Sequence, residues 1–143
     1  PRVDLGMEQS NADFVRSLIV DGLVNAVHDI SDGGILCAVT EAAMASGVGA
    51  QLNWNAQDLT AVEFLFNERQ SEYVLAVSPE HLDLVLKRAG PNASGIPRAF
   101  VQGSFSGDKI AWNDSGSVKG SISLSRLREA HEGWLPTYMN AVD

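Results

Sequence analysis

Apolar residues recur along this chain at two spacings, and the switching between them predicts helices interleaved with strands. Phe14, Val15, Leu18 and Ile19 fall on one helical face. Asn11 is placed to cap that helix, which runs to about Asp21 and stops at Gly22, with residues 1–9 as an extended lead-in. Val24 to Val27 is a compact β-prone run. Helical spacing returns from Ile35 to Ser46 through Leu36, Val39, Ala42 and Ala43. Gly47 and Gly49 punctuate a strand around Val48 to Trp54, and a helix is predicted from about Ala56 to Phe66 on Leu59, Val62, Leu65 and Phe66. The crowding of Tyr73, Val74, Leu75 and Val77 predicts a strand buried on both faces, hence a central one.

The second half reads in the same way. Ser78-Pro79-Glu80 starts a helix carrying Leu82, Val85, Leu86 and Ala89, and Gly90-Pro91 ends it. A loop spans Pro91 to Pro97. Arg98 to Phe105 and Lys109 to Asn113 read as a hairpin across Ser106-Gly107-Asp108. Asp114 to Lys119 is a predicted turn and Ser121 to Leu124 a last strand. Ser125 caps a final helix through about Glu132, and the tail from Gly133 to Met139 reads as aromatic and irregular. The hairpin excludes a purely parallel sheet. The predicted fold class is α+β, a mixed β-sheet flanked by helices, over one domain spanning 1–143.

Composition narrows the function classes. A chain of 143 residues suffices for one domain with a core. Its formal net charge of −8, with scattered Lys and Arg, argues against a nucleic-acid surface, which needs a basic stripe. The single cysteine, Cys37, has apolar neighbours in sequence and reads as a buried structural thiol. One cysteine cannot form an internal disulfide, which suits a reducing cytoplasm. There is no apolar run long enough for a membrane span, and no basic-then-apolar signal pattern at the start. The opening Pro1-Arg2-Val3-Asp4, without an initiator Met, predicts a piece of something longer.

Two polar runs carry candidate chemistry. The first is His28-Asp29-Ile30-Ser31-Asp32-Gly33-Gly34, between a strand and a helix. A strand-to-helix turn exposes backbone N–H groups where the helix dipole favours an anion, and glycine lets a phosphate approach the backbone. His28, Asp29, Ser31, Asp32, Gly33 and Gly34 are therefore phosphate- or nucleotide-binding candidates, and the carboxylates could hold a divalent cation beside the phosphate. A structural reading stands beside this one. Asp32 is a good N-cap, Asp29 can close an Asx turn, and the glycines can relieve backbone strain. The second run is Glu68-Arg69-Gln70-Ser71, where Glu68, Gln70 and Ser71 are polar-ligand candidates, with a solvated loop as the other reading. If this run is extended, Glu68 and Gln70 share a face. His28, His81 and His131 are far apart in sequence, so no transition-metal site is expected and no metal ligand is assigned.

Taken together, Ala26 to Leu36, Glu41-Ala42-Ala43 and Phe66 to Tyr73 resemble the C-terminal domain of the aminoimidazole-ribonucleotide-synthetase superfamily. Within it the resemblance is to the formylglycinamide ribonucleotide amidotransferases, in the last domain of the stand-alone synthetase subunit. Asn11 to Arg16, Leu127 to Ala130 and Trp134-Leu135-Pro136 extend the likeness over nearly the whole chain. The resemblance implies an ATP-dependent ligase of purine synthesis. Formylglycinamide ribonucleotide, ATP and glutamine-derived ammonia give formylglycinamidine ribonucleotide, ADP and phosphate. It further implies ATP and Mg2+ as cofactors of the full-length enzyme, held mainly by N-terminal-type domains of the same subunit. A glutaminase subunit is the implied partner, and a ribonucleotide the implied substrate, with no nucleic acid and no membrane. No catalytic residue is carried over to this chain, which is expected to be inactive alone. Two positions depart from the family pattern. A Glu-Ser-Gln substrate contact reads Glu68-Arg69-Gln70 here, and a Ser-Arg pair reads Ser71-Glu72, a reversal of charge. The other readings are a different superfamily member (aminoimidazole ribonucleotide synthetase, thiamine-monophosphate kinase or selenophosphate synthetase), or a non-catalytic docking domain for the glutaminase, using the Trp134 to Tyr138 tail.

Overall fold

The computed structural model describes residues 4–54, 60–91, 98–114 and 117–140. Its elements alternate as expected for an α+β chain: α1 (Leu5–Val20), β1 (Ala26–Asp29), α2 (Gly34–Ser46), β2 (Ala50–Trp54), α3 (Ala61–Phe66), β3 (Tyr73–Ala76), α4 (Pro79–Ala89), β4 (Gly103–Phe105), β5 (Lys109–Asp114), β6 (Ser117–Ser123), α5 (Leu124–Glu132) and α6 (Trp134–Asn140). The chain divides into two compact units, one formed by 1–38 and 59–101, the other by 39–58 and 102–143.

In the first unit, β1 and β3 pair antiparallel, with Ala26 opposite Ala76 and Asp29 opposite Tyr73. Leu18, Leu23 and Val85 form its buried cluster, with Phe14, Val24, Leu75 and Val77 packed against it. The helices of this unit have identifiable ends. The Asp4 carboxylate accepts the Gly6 and Met7 N–H groups, each at 3.0 Å, and so starts α1. Pro79 opens α4, where its missing N–H is harmless, and Gly90 closes it at φ 57°. Thr60 and Glu63 form a reciprocal capping box on α3.

Two expectations are corrected here. Residues 5–9 are helix rather than extended lead-in, because the cap is Asp4 and not Asn11. The first turns carry no apolar stripe, Leu5 being 76% exposed, so periodicity gave no sign of them. Nor is β3 a central strand buried on both faces. All four of its residues are half-buried, in a two-stranded sheet.

The second unit holds a mixed four-stranded sheet in the order β4-β2-β5-β6. The expected β4–β5 hairpin is absent, because β2 lies between those strands. It pairs antiparallel with β4 and parallel with β5, so Ala50 faces Phe105 on one side and Ile110 on the other. The connection 106–108 arches past the start of β2, where the Gly49 carbonyl accepts from Ser106 N at 2.7 Å and Gly49 N donates to the Gly107 carbonyl at 2.8 Å. The observed hairpin is β5–β6, with a register shift at Trp112/Asn113. Strand β6 begins at Ser117, earlier than expected, and α5 is capped by Ser123 rather than Ser125. The tail is helical, not irregular. Trp134 and Tyr138, four residues apart on α6, stack with ring centroids 5.2 Å apart. Among the described residues the expected single mixed sheet is thus two sheets, of which the larger is mixed. The predicted helix segment Ala56 to Leu59 and the loop residues Asn92 to Pro97 lie outside the described residues.

Candidate functional site

The two polar runs singled out in the sequence meet in the first unit. Strand β1 ends at Asp29, and residues 30–33 lead into α2. Helix α3 ends at Phe66, and residues 67–72 lead into β3. Antiparallel pairing of β1 with β3 places the exit of one beside the approach to the other, and Ile30 N donates to the Glu72 carbonyl at 2.9 Å. An open pocket of about 300 Å³ lies between them. Asp29, Ile30, Ser31 and Asp32 line it from one run, and Glu68 through Tyr73 from the other. Glu8 of α1 completes the lining.

The glycine turn is held from inside the protein. Glu68 Oε1 accepts the Gly33 N–H at 3.0 Å, so a carboxylate from the second run occupies the anion position at the start of α2. Gly34 is demanded by sterics. Its φ is +70°, and a Cβ there would lie 2.7 Å from the Leu65 carbonyl oxygen and from Phe66 Cα. Gly33, at φ +84°, would place a Cβ 2.7 Å from Cys37 Cβ. Cys37 is half-buried rather than buried. His28 Nδ1–H donates to the carbonyl of Asp29 at 2.7 Å. Neither His28 nor the two glycines lines the pocket.

The second run is turned rather than extended. Ser71 has φ +65°, the one positive value at a non-glycine among the described residues. Its hydroxyl donates to the Glu8 carboxylate, and its carbonyl accepts from Asn11 Nδ2 at 3.0 Å. Arg69 and Glu72 approach to 3.6 Å, both well exposed. Glu8 and Asn11 were missed as site residues because their polar run, Glu8-Gln9-Ser10-Asn11, was read as lead-in and helix cap.

The lining sets the carboxylates of Glu8, Asp29, Asp32, Glu68 and Glu72 against the single guanidinium of Arg69. That charge balance repels a polyphosphate. Among the described residues no group of three His, Cys, Asp or Glu side chains is arranged to hold a metal ion. The described residues thus offer no three-ligand group for magnesium, and this pocket has no cluster of cations for a nucleotide polyphosphate. No helix among the described residues is long and apolar enough to cross a membrane.

Residues 1–111 match the family model described as AIR synthase related protein, C-terminal domain. The chain belongs to this family. The phosphoribosylformylglycinamidine synthase subunit PurL of Sinorhizobium fredii is 43% identical over 139 residues, covering 97% of this chain and 18% of that protein. The chain thus spans about a fifth of the length of the curated relatives it matches. The structure of PurLQS from Thermotoga maritima superposes with a TM-score of 0.75 at 18% identity, over 87% of this chain and 22% of that one. Thermotoga maritima PurL complexed with ATP superposes at 0.70 and 18% identity, over 82% of this chain and 21% of that one. The family fold is therefore the one found here, α+β with open sheets.

Proposed function

We propose that this chain is a single C-terminal-type domain of a longer formylglycinamide ribonucleotide amidotransferase synthetase subunit. The observation that carries this reading is the 43% identity to such a subunit over 97% of the chain. The whole enzyme joins glutamine-derived ammonia to formylglycinamide ribonucleotide, with ATP cleaved to ADP and phosphate, in purine biosynthesis. Its partners are the N-terminal-type domains of its own subunit and a glutaminase subunit, and its setting is the cytoplasm. The complex of a relative with ATP supports ATP use by the full-length enzyme.

Within that enzyme the pocket beside Glu68 forms one wall of a ligand cleft. Its acidic lining disfavours ATP phosphates at this wall, and the ATP and Mg2+ of the full-length enzyme are assigned to its N-terminal-type domains. Gln70 and Ser31 are the lining groups suited to hydrogen-bond a neutral amide or hydroxyl of a ribonucleotide. Asp29 and Asp32 line that wall, and His28, Gly33 and Gly34 belong to the strand end and the turn that carry them. Glu68 and Ser71 are partly committed to contacts within the protein.

The test is a chimera. This chain replaces the matching segment of the Sinorhizobium fredii subunit, and ADP release is measured with formylglycinamide ribonucleotide, ATP and ammonia. Turnover by the chimera and none by the isolated chain is the expected result. A folded, soluble chimera without turnover overturns the reading.

A further inference from the structure

The turn that carries Glu68 to Ser71 is gripped by α1. Ser71 adopts a left-handed conformation that L side chains seldom take. Its neighbour in sequence, Gln70, is not a glycine either, so the turn has no residue that favours this geometry. Two side chains one helical turn apart reach it. Asn11 Nδ2 donates to the Ser71 carbonyl at 3.0 Å, and the Glu8 carboxylate accepts from the Ser71 hydroxyl. The amide of Asn11 is oriented from its other end. Arg98 Nη2 donates to Asn11 Oδ1 at 2.7 Å and to Ser10 Oγ at 3.1 Å, which leaves Nδ2 facing Ser71. Arg98 is itself seated over the Phe14 ring, 5.5 Å from its centroid.

We propose that Glu8 and Asn11 are positioning residues for the pocket: they hold Ser71 left-handed, and so seat Glu68 on the Gly33 N–H with Gln70 at the pocket wall. The functional consequence rests on the proposed ligand cleft. The geometric claim does not, because every contact in it lies within one compact unit.

The experiment is amide hydrogen exchange by NMR on the full chain, comparing Gly33 with the core residues Leu18 and Val85. Asn11→Ala is expected to speed exchange at Gly33 by about tenfold while the two core amides stay within about twofold. Asn11→Asp keeps the acceptor for Arg98 and loses the donor to Ser71, so it is expected to match Asn11→Ala. Glycine takes a positive φ freely. In a Ser71→Gly background, Asn11→Ala is therefore expected to have less than half its effect on Gly33, on a logarithmic scale. Unchanged Gly33 exchange overturns the proposal. So does equal acceleration of Gly33 and the core, which is ordinary destabilisation. An undiminished effect in the Ser71→Gly background overturns it too. Should Asn11→Ala fail to fold, Glu8→Ala, which removes the acceptor of the Ser71 hydroxyl, supplies the same comparison. Moved into the chimera, Asn11→Asp is expected to raise the ribonucleotide KM more than it lowers kcat. A chimera without turnover removes the proposed function and leaves the exchange result to decide the positioning.

Discussion

Glu68 and Gly33, thirty-five residues apart in sequence, are joined by a 3.0 Å hydrogen bond from backbone N–H to carboxylate. The contact fastens the approach to β3 onto the start of α2, and it supplies that helix with a negative charge at its positive end. Glu68→Ala removes the acceptor, and the expected loss is about 1 kcal/mol, the usual worth of a capping side chain. Glu68→Gln keeps an oxygen there without the charge, with an expected loss of about 0.3–1 kcal/mol. Urea midpoints should rank wild type above Gln and Gln above Ala.

Gly34 and Gly22 share a left-handed backbone and differ in their surroundings. A Cβ on Gly34 runs into backbone at Leu65 and Phe66, whereas nothing lies within 4 Å of one on Gly22. Gly22→Ala is expected to cost about 1–2 kcal/mol from conformation alone. Gly34→Ala adds overpacking against backbone, bringing its cost to about 2–5 kcal/mol. Thermal or urea unfolding of the two variants checks the difference.

The Glu63 carboxyl is held below the ordinary glutamate range, first by the Thr60 backbone N–H and then by the Thr60 hydroxyl. Its contribution to α3 is therefore present above the unfolded-state value and is lost as pH falls through the lowered folded-state value. A carbon-detected titration of Glu63 is expected to show a depressed midpoint. Thr60→Ala, which removes the hydroxyl, is expected to move that midpoint part of the way up.

Asn113 is 5% exposed, and its buried Oδ1 has no hydrogen-bond partner among the described residues. Its Nδ2 donates to Asn53 Oδ1 at 3.3 Å, and Asn53 is exposed to water. Asn113→Val removes a desolvated acceptor from a strand, and the expected outcome is a gain of about 1 kcal/mol. A lower unfolding midpoint in this variant would show the Asn53 contact to be worth more than the desolvated oxygen costs.

Legibility in the sequence followed the range of the interaction. The Ser78-Pro79 start of α4 and the Gly22 stop of α1 are local chemistry, and both stand where they were read. The start of α1 was hidden because Leu5 and Met7 face outward, leaving only Asp4 as a signal. Each polar run was visible as a polar run. Their meeting depends on β1 pairing with β3, which no short-range pattern encodes. Glu8 was invisible for the same reason, since a single acid on a helix surface gains meaning only from Ser71 opposite it.

The strand β2 between β4 and β5 has a kinetic corollary. The Ser106-Gly107-Asp108 turn lets β4 and β5 find each other within a few residues, whereas joining Ala50 to Ile110 closes a loop of roughly sixty residues at an entropic cost of about 3–4 kcal/mol. The nearest competitor of the native sheet is thus a local hairpin occupying the slot that β2 must enter. Only the longer chain closure, with Gly49 narrow enough to pass beneath the arch, resolves that frustration.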